Sequence, residues 1–85
     1  MAKIEIYSSA YCPYCVRAKA LLTQKSVAFT EYEVDKEPKL RVLMMDRSKR
    51  TSVPQIFIDD QHIGGCDELF ALEASDQLDA ILNTK

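Results

Sequence analysis

The first part of the chain changes from a strand-like to a helix-like pattern. Lys3 to Ser8 alternates Ile4 and Ile6 with polar and aromatic neighbours, which predicts a first β-strand. A helix is predicted after Cys12, because Pro13 suits the first helical position, where its missing N–H costs nothing. Good helix formers follow this proline. The residues expected on one face of the helix are Cys15, Ala18 and Leu22.

The middle of the chain repeats this order. Val27 to Val34 is rich in β-branched and aromatic residues and predicts a second strand. Pro38 then begins a second helix, whose apolar stripe is predicted to be Leu40, Leu43 and Met44. The charged residues of this helix are expected to remain in water; they are Lys39, Arg41, Asp46, Arg47 and Lys49.

The last part predicts a hairpin followed by two helical segments. Gln55 to Ile58 and Gln61 to Ile63 have the composition of short paired strands. The Asp59-Asp60 turn is predicted to join them, and Gly64-Gly65 ends the hairpin. For the two helical segments, the predicted N-caps are Asp67 and Ser75, and the buried stripe of the last helix is Leu78, Ile81 and Leu82.

These elements predict an α/β fold in the order β-α-β-α-β-β-α. A helix between two strands implies a right-handed crossover and a parallel pair, whereas the close third and fourth strands form an antiparallel hairpin. A small four-stranded mixed sheet with helices on both faces is therefore expected. Since no repeat, low-complexity tract or linker interrupts the sequence, residues 1–85 are predicted to form one domain.

Composition excludes several functional classes. The chain is 47% hydrophobic and 28% charged, which is typical of a globular protein and not of a disordered one. Its net charge of −2 argues against the basic face that nucleic-acid binding needs. Only two glycines occur, next to each other, so neither glycine-rich nucleotide-binding loop is possible.

The apolar runs are too short for a membrane helix. None exceeds four residues, against about 20 for a typical span. The N-terminal residues Met1 to Ile6 contain no apolar signal segment. We therefore expect a cytoplasmic protein without a membrane partner.

Cys12 and Cys15, two residues apart at the predicted strand-to-helix junction, are the strongest chemical signal. Free backbone N–H groups and the helix dipole stabilise a thiolate on Cys12 at that position. Cys15 lies one turn later, within reach of a mixed disulfide formed on Cys12. A disulfide closing so short a loop contributes only about 2 kcal/mol to stability, so the pair suits reversible redox chemistry better than a structural bridge.

A structural alternative is a zinc site in which His62 and Cys66 complete the two cysteines. The two halves lie far apart in the sequence, and Pro13 at a helix start suits a redox turn better. Taken singly, Cys66 is a packed small residue rather than a third catalytic thiol, and His62 is a polar strand residue. Tyr14 lies between the two cysteines in the sequence. It is either an ordinary surface aromatic or a contact for the molecule that docks at them.

Two further segments suggest binding groups. Pro54 forces Val53 into an extended conformation, which leaves the backbone of Val53 available to pair with an extended peptide over Cys12. The Gly64 to Asp67 segment offers a helix start whose amides could hold a carboxylate, with Asp67 holding an ammonium group or acting as a plain N-cap. The basic residues that could attract an anion, or form a solvated face, are Arg41, Arg47, Lys49 and Arg50.

Three segments together resemble the dithiol glutaredoxins of the short bacterial type. They are Cys12-Pro13-Tyr14-Cys15, Thr51 to Ile58 and Gly64 to Leu69, and the resemblance covers essentially the whole chain. It implies a thioredoxin-like fold with a cis Pro54, which the residues alone do not predict. It also implies glutathione-dependent reduction of protein disulfides and glutathione mixed disulfides.

The same resemblance implies a role for individual residues. Cys12 is the nucleophile and Cys15 the resolving thiol. The implied glutathione-binding residues are Tyr14, Thr51, Val53, Pro54, Cys66 and Asp67. Glutathione is the cosubstrate, and no metal or permanently bound cofactor is implied. The expected partners are glutathione and disulfide-containing or glutathionylated proteins. The protein itself is expected to be a monomer.

The sequence departs from the family at two positions. Many members carry a lysine shortly before the first active-site cysteine, whereas this chain has Ser8-Ser9-Ala10-Tyr11, so Arg41 or a residue of the Arg47 to Arg50 group is the candidate cation for the glycine carboxylate of glutathione. Ser26 stands where relatives often have a helix-ending glycine. Two alternative functions are a thioredoxin-like reductant recycled by a flavoprotein and a dimer that bridges an iron–sulfur cluster through Cys12 and glutathione. By analogy with the family, Pro13 disfavours the cluster-bridging dimer.

Overall fold

The structure, a computed structural model, describes residues 2–82; residues 1 and 83–85 of the predicted domain lie outside that range. The elements are β1 (Ile4–Ser8), α1 (Pro13–Gln24), β2 (Thr30–Glu33), α2 (Pro38–Ser48), β3 (Gln55–Ile58), β4 (Gln61–Gly64), α3 (Cys66–Ala74) and α4 (Leu78–Leu82). The order follows the prediction, with the two C-terminal segments forming separate helices. None of these helices, across residues 2–82, is long and apolar enough to cross a membrane.

The four strands form one mixed sheet in the order β2-β1-β3-β4. β1 pairs in parallel with β2 and antiparallel with β3, and β3 pairs antiparallel with β4, so the predicted sheet is confirmed. Tyr7 near the end of β1 lies opposite Gln55 at the start of β3. This register brings the loop that follows β1 beside the loop that precedes β3, and Cys12 lies in the first of these loops.

One face of the sheet packs against α1, α3 and α4. Ile4, Ile6, Ile56 and Ile58 of the two central strands form the sheet side of this core. The helix side includes Ala18 and Leu22 of α1, Leu69 of α3, and Leu78 and Leu82 of α4. Cys15, Ala18 and Leu22 are all fully buried, which confirms the predicted face of α1.

The opposite face, under α2, differs from the prediction. Met44 is buried, but Leu43 is 45% exposed, so the predicted stripe is wrong at that position. Arg47 was expected in water; instead its guanidinium lies 4.0 Å from the ring centre of Phe57, and its side chain is only 21% exposed. The reason is long-range: β1 and β3 present Tyr7 and Phe57 to this helix, and Arg47 packs on their rings.

Arg47 also neutralises a buried carboxylate. Glu5 on β1 is 4% exposed and accepts hydrogen bonds from Arg47 (3.1 Å) and from the hydroxyl of Tyr32 (3.0 Å). Burial raises the pKa of Glu5, but these hydrogen bonds and the positive charge of Arg47 bring it below its ordinary value. The pair therefore ties α2 to the two parallel strands.

Several predicted element ends shift in the structure. Gly65, not Asp67, is the N-cap of α3, because the Glu68 side chain accepts from the N–H of Gly65 (2.7 Å) and closes the first turn. Ser75 ends α3 instead of beginning the next helix. β2 begins at Thr30 rather than Val27, whose N–H bonds to Leu22 at the end of α1.

Ser26, between α1 and β2, adopts a conformation that is typical of a helix end. Its φ angle is 61°, in the left-handed region that glycine adopts most readily. Its N–H bonds to the carbonyl of Thr23 (2.9 Å), which helps to satisfy the last turn of α1.

We predict that the Glu5–Arg47 pair makes stability depend on pH. Because the pKa of Glu5 is lower in the folded state, the pair stabilises the fold above the ordinary glutamate range, and this stabilisation is lost as pH falls through the lowered value. Glu5→Gln should reduce the free energy of unfolding near neutral pH by about 1–3 kcal/mol, and the gap to the parent should shrink in acid. Urea unfolding at several pH values measures both.

Glu37→Gln provides the matched control, since Glu37 is exposed and its side chain makes no capping hydrogen bond. It should change stability little at any pH. A gap between Glu5→Gln and the parent that stays constant from neutral to acid pH would show that Glu5 is not the titrating group.

Candidate active site

Cys12 stands at the N-terminus of α1. It has an extended backbone (φ −107°, ψ 110°) and serves as the N-cap, with Pro13 directly after it. Its Sγ accepts a hydrogen bond from the backbone N–H of Cys15 at 3.2 Å. The Cys12 sulfur therefore receives an N–H that the first helical turn leaves unpaired, an arrangement that stabilises negative charge on sulfur.

Cys15 lies beneath Cys12 in a different environment. Cys12 is half-buried and Cys15 is fully buried, and both are free thiols. Burial, together with the hydrogen bond to Cys12, raises the pKa of Cys15 to about 12. The two sulfurs are thus chemically unequal: Cys12 is accessible, and Cys15 retains its proton.

The loop before β3 lies directly against Cys12. The Val53–Pro54 peptide bond is cis, which confirms what the family resemblance implied. The Cys12 thiol donates to the carbonyl oxygen of Val53 across 3.8 Å. Val53 is half-buried and Pro54 is buried, so the loop presents its backbone beside the sulfur.

A cavity of about 250 Å³ opens next to this loop. Five of the six residues predicted to bind glutathione line it, namely Tyr14, Val53, Pro54, Cys66 and Asp67. Thr51 does not line it, although its carbonyl accepts from Arg41 at 3.4 Å. The cavity thus joins α1, the cis-proline loop and the start of α3 into one site.

Two charged side chains meet at the α3 side of the cavity. Arg50 and Glu68 both line it and form an ion pair at 3.3 Å. The hydrogen bond from the Gly65 N–H lowers the pKa of Glu68 despite partial burial. Glu68 was not predicted as a site residue; its position three residues after Gly65, typical of a capping box, was the available signal.

The four basic residues predicted to attract an anion are separated by the fold. Arg47 does not line the cavity and donates to the hydroxyl of Tyr7 (2.9 Å). Lys49 is exposed at the end of α2 and does not line the cavity. Arg41 contacts Asp35 at 3.5 Å, and Asp35 accepts from the hydroxyl of Ser9 in the loop after β1.

The zinc alternative finds no support in the geometry. Among residues 2–82, no group of three or more histidine, cysteine, aspartate or glutamate side chains is arranged to hold a metal ion. His62 contacts Gln55 at 2.7 Å instead. Cys66 is buried, and this burial raises the pKa of its thiol.

Comparison with known proteins gives a consistent result. Residues 4–63 match a family model described as glutaredoxin. Over 82 residues the chain is 57% identical to Glutaredoxin 3 of Escherichia coli (strain K12), covering 96% of this chain and 99% of that protein. It is 48% identical over 83 residues to a glutaredoxin of Pseudomonas aeruginosa, with 98% and 99% covered.

Solved structures agree with these matches. A glutaredoxin from Brucella melitensis is 49% identical, with a TM-score of 0.87 over 99% of this chain and 91% of that one. A buckwheat glutaredoxin–glutathione complex is 28% identical, with a TM-score of 0.88 over 95% of this chain and 76% of that one. The fold is therefore the thioredoxin-like fold that the family resemblance implied.

Proposed function

The chain belongs to the glutaredoxin family and is a glutathione-dependent thiol–disulfide oxidoreductase, and we propose that Cys12 attacks the substrate and Cys15 resolves the product. Glutathione is the cosubstrate, and the family uses no permanently bound cofactor. The observation that carries the residue assignment is the contrast between an accessible Cys12, which accepts an N–H, and a buried, protonated Cys15.

With a glutathionylated protein, Cys12 acts alone. Its thiolate attacks the glutathione sulfur, so a Cys12–glutathione disulfide forms, the substrate disulfide breaks, and the released protein thiolate takes a proton from water. The thiolate of a second glutathione then attacks the mixed disulfide. Oxidised glutathione leaves, and the Cys12 thiolate is regenerated.

With a protein disulfide, Cys15 completes the reaction. Attack by Cys12 joins the substrate to the enzyme through a mixed disulfide and removes the charge from the Cys12 sulfur. The negative sulfur that disfavoured ionisation of Cys15 is then gone, so Cys15 deprotonates more readily. It attacks Cys12, releases the substrate as a dithiol and leaves a Cys12–Cys15 disulfide, which two glutathione molecules reduce.

The cavity supports an extended placement of glutathione. We assign the backbone of Val53 to the cysteinyl residue, because its carbonyl lies 3.8 Å from Cys12 Sγ. The γ-glutamyl end then reaches α3, where the amides of Cys66 and Asp67 precede the first intrahelical donor, Leu69 N. We place Tyr14 and Pro54, which line the cavity, beside this path, with Thr51 outside the lining. The buckwheat glutaredoxin–glutathione complex supports the same ligand class.

We propose Arg41 as the cation for the glycine carboxylate of glutathione. If the γ-glutamyl end lies at α3, the glycine end points away from α3. Arg50 is paired with Glu68 at the α3 end. Arg41 does not line the cavity, but it contacts the carbonyl of Thr51, the residue before Ser52 of the cavity lining. It also pairs with Asp35, beside Ser9, and its side chain is 41% exposed.

The partners and the location of the protein are also proposed from its surface and charge. We infer that residues 1–85 act as one monomeric domain in the cytoplasm, on disulfide-containing and glutathionylated proteins. Tyr11 is 96% exposed and Tyr14 is 56% exposed on either side of Cys12, which gives a protein substrate an aromatic surface to contact. The weak net charge of −2 is in keeping with binding to proteins of varied charge.

The two cysteine variants should separate the two reactions. Cys12→Ser should abolish turnover, because no sulfur remains at the accessible position. Cys15→Ser should keep reducing glutathione mixed disulfides, since that route needs Cys12 alone, but lose reduction of protein disulfides through the dithiol. Turnover of a glutathionylated peptide and of a disulfide protein, both coupled to glutathione reductase, measures this. Full activity of Cys12→Ser on either substrate would refute the assignment.

Arg41→Ala should raise the KM for a glutathionylated peptide by about three- to tenfold, the size expected for one charge-assisted hydrogen bond at a partly exposed site. The kcat should stay near the parent value, because Arg41 does not touch the reacting sulfurs. Arg41→Lys should recover part of the affinity. Arg50→Ala is the matched control and should change KM less; a larger effect at Arg50 would move the carboxylate site to the α3 end.

A further inference from the structure

A row of side-chain hydrogen bonds connects β4 to the loop that faces Cys12. Gln55, the residue after Pro54, is 1% exposed. Its Oε1 lies 2.7 Å from Nε2 of His62, and its Nε2 lies 3.0 Å from the carbonyl oxygen of Ser52 and 3.3 Å from the Ser52 hydroxyl. The three residues form a continuous link, which we call the His62–Gln55–Ser52 relay.

The donors and acceptors of the relay follow from its chemistry. The Ser52 carbonyl can only accept, so Gln55 must direct its NH₂ group towards Ser52. The Gln55 oxygen therefore faces His62, and Nε2 of His62 must carry a proton. Both the neutral Nε2–H tautomer and the imidazolium satisfy this requirement, so the direction of donation does not depend on the charge of His62.

Packing holds the histidine in place. The His62 ring lies 5.0 Å from the ring of Phe57, tilted by 36°, and Phe57 in turn meets Tyr7 edge to face. Burial lowers the pKa of His62, nearby Arg50 adds to this effect, and Glu68 opposes it. The imidazole is thus a fixed donor aimed at a buried amide that would otherwise leave its oxygen unsatisfied.

We propose that His62 and Gln55 are positioning residues that hold the loop from Ser52 to Pro54 in place for the substrate. The relay holds Ser52 through two hydrogen bonds from Gln55. Ser52 precedes Val53 in the chain, and the backbone of Val53 lies against Cys12 Sγ. Two other side-chain contacts to residues 51–54 are longer: 3.4 Å from Arg41 to the Thr51 carbonyl and 3.8 Å from Cys12 Sγ to the Val53 carbonyl. This inference rests on the proposed pairing of Val53 with the cysteinyl backbone of glutathione.

The test compares two substitutions of His62 in the full-length protein. His62→Phe keeps a ring on Phe57 but removes the donor, whereas His62→Gln keeps an N–H group near the position of Nε2. His62→Phe should raise the KM for a glutathionylated peptide by about three- to tenfold, the cost of one lost hydrogen bond, with kcat near the parent value. His62→Gln should restore most of the affinity.

Backbone amide NMR gives a second readout that needs no turnover. His62→Phe should shift the amide resonances of Ser52 and Val53, and His62→Gln should return them towards the parent positions. A purely structural histidine would lower the free energy of unfolding in both variants while leaving KM and these resonances unchanged, and that result would overturn the proposal. If the proposed function itself is wrong, the parent protein will show no saturable turnover of the peptide. This result is distinct from failure of the positioning role of His62, in which the parent turns the peptide over normally.

Discussion

The hydrogen bond from the backbone N–H of Cys15 to Cys12 Sγ is the contact on which the site depends. It exists because Cys12 takes the N-cap position of α1, where helix geometry leaves N–H groups without partners. The same turn buries Cys15 and places it next to the Cys12 sulfur. One local feature therefore makes the first sulfur accessible and gives it a backbone N–H, while it buries the second sulfur as a protonated thiol. A dithiol reaction needs the two sulfurs in this order.

The sheet supplies the second half of the site. Antiparallel pairing of β1 with β3 sets Tyr7 opposite Gln55, so the loops carrying Cys12 and Val53 emerge at the same edge. The start of α3 adds Cys66 and Asp67 to the cavity. On the other face of the sheet, Arg47 bonds to Glu5 and packs on the ring of Phe57, and these contacts hold α2 against the sheet. Arg41, on the same helix, contacts the carbonyl of Thr51.

Features set by neighbouring residues were predictable from the sequence. The start of α1 at Pro13, the hairpin after Gln55 and the buried face containing Cys15 all follow from local spacing and residue type. Features that depend on distant residues were not. The burial of Arg47 needs Glu5 on another strand, 42 residues away in the sequence. The relay was not predicted for a different reason: the hairpin brings His62 near Gln55, but spacing alone does not specify the hydrogen bond between their side chains.

In the proposed reaction, Cys12 reacts while the neighbouring cavity holds glutathione along Val53. A structure of Cys15→Ser after reaction with oxidised glutathione tests this most directly, because the mixed disulfide cannot be resolved by the second cysteine. The expected result is glutathione bonded to Cys12, with its cysteinyl backbone paired to Val53 and its γ-glutamyl end at Asp67. Glutathione bonded to Cys66, or bonded to Cys12 but lying outside the cavity, would contradict the claim.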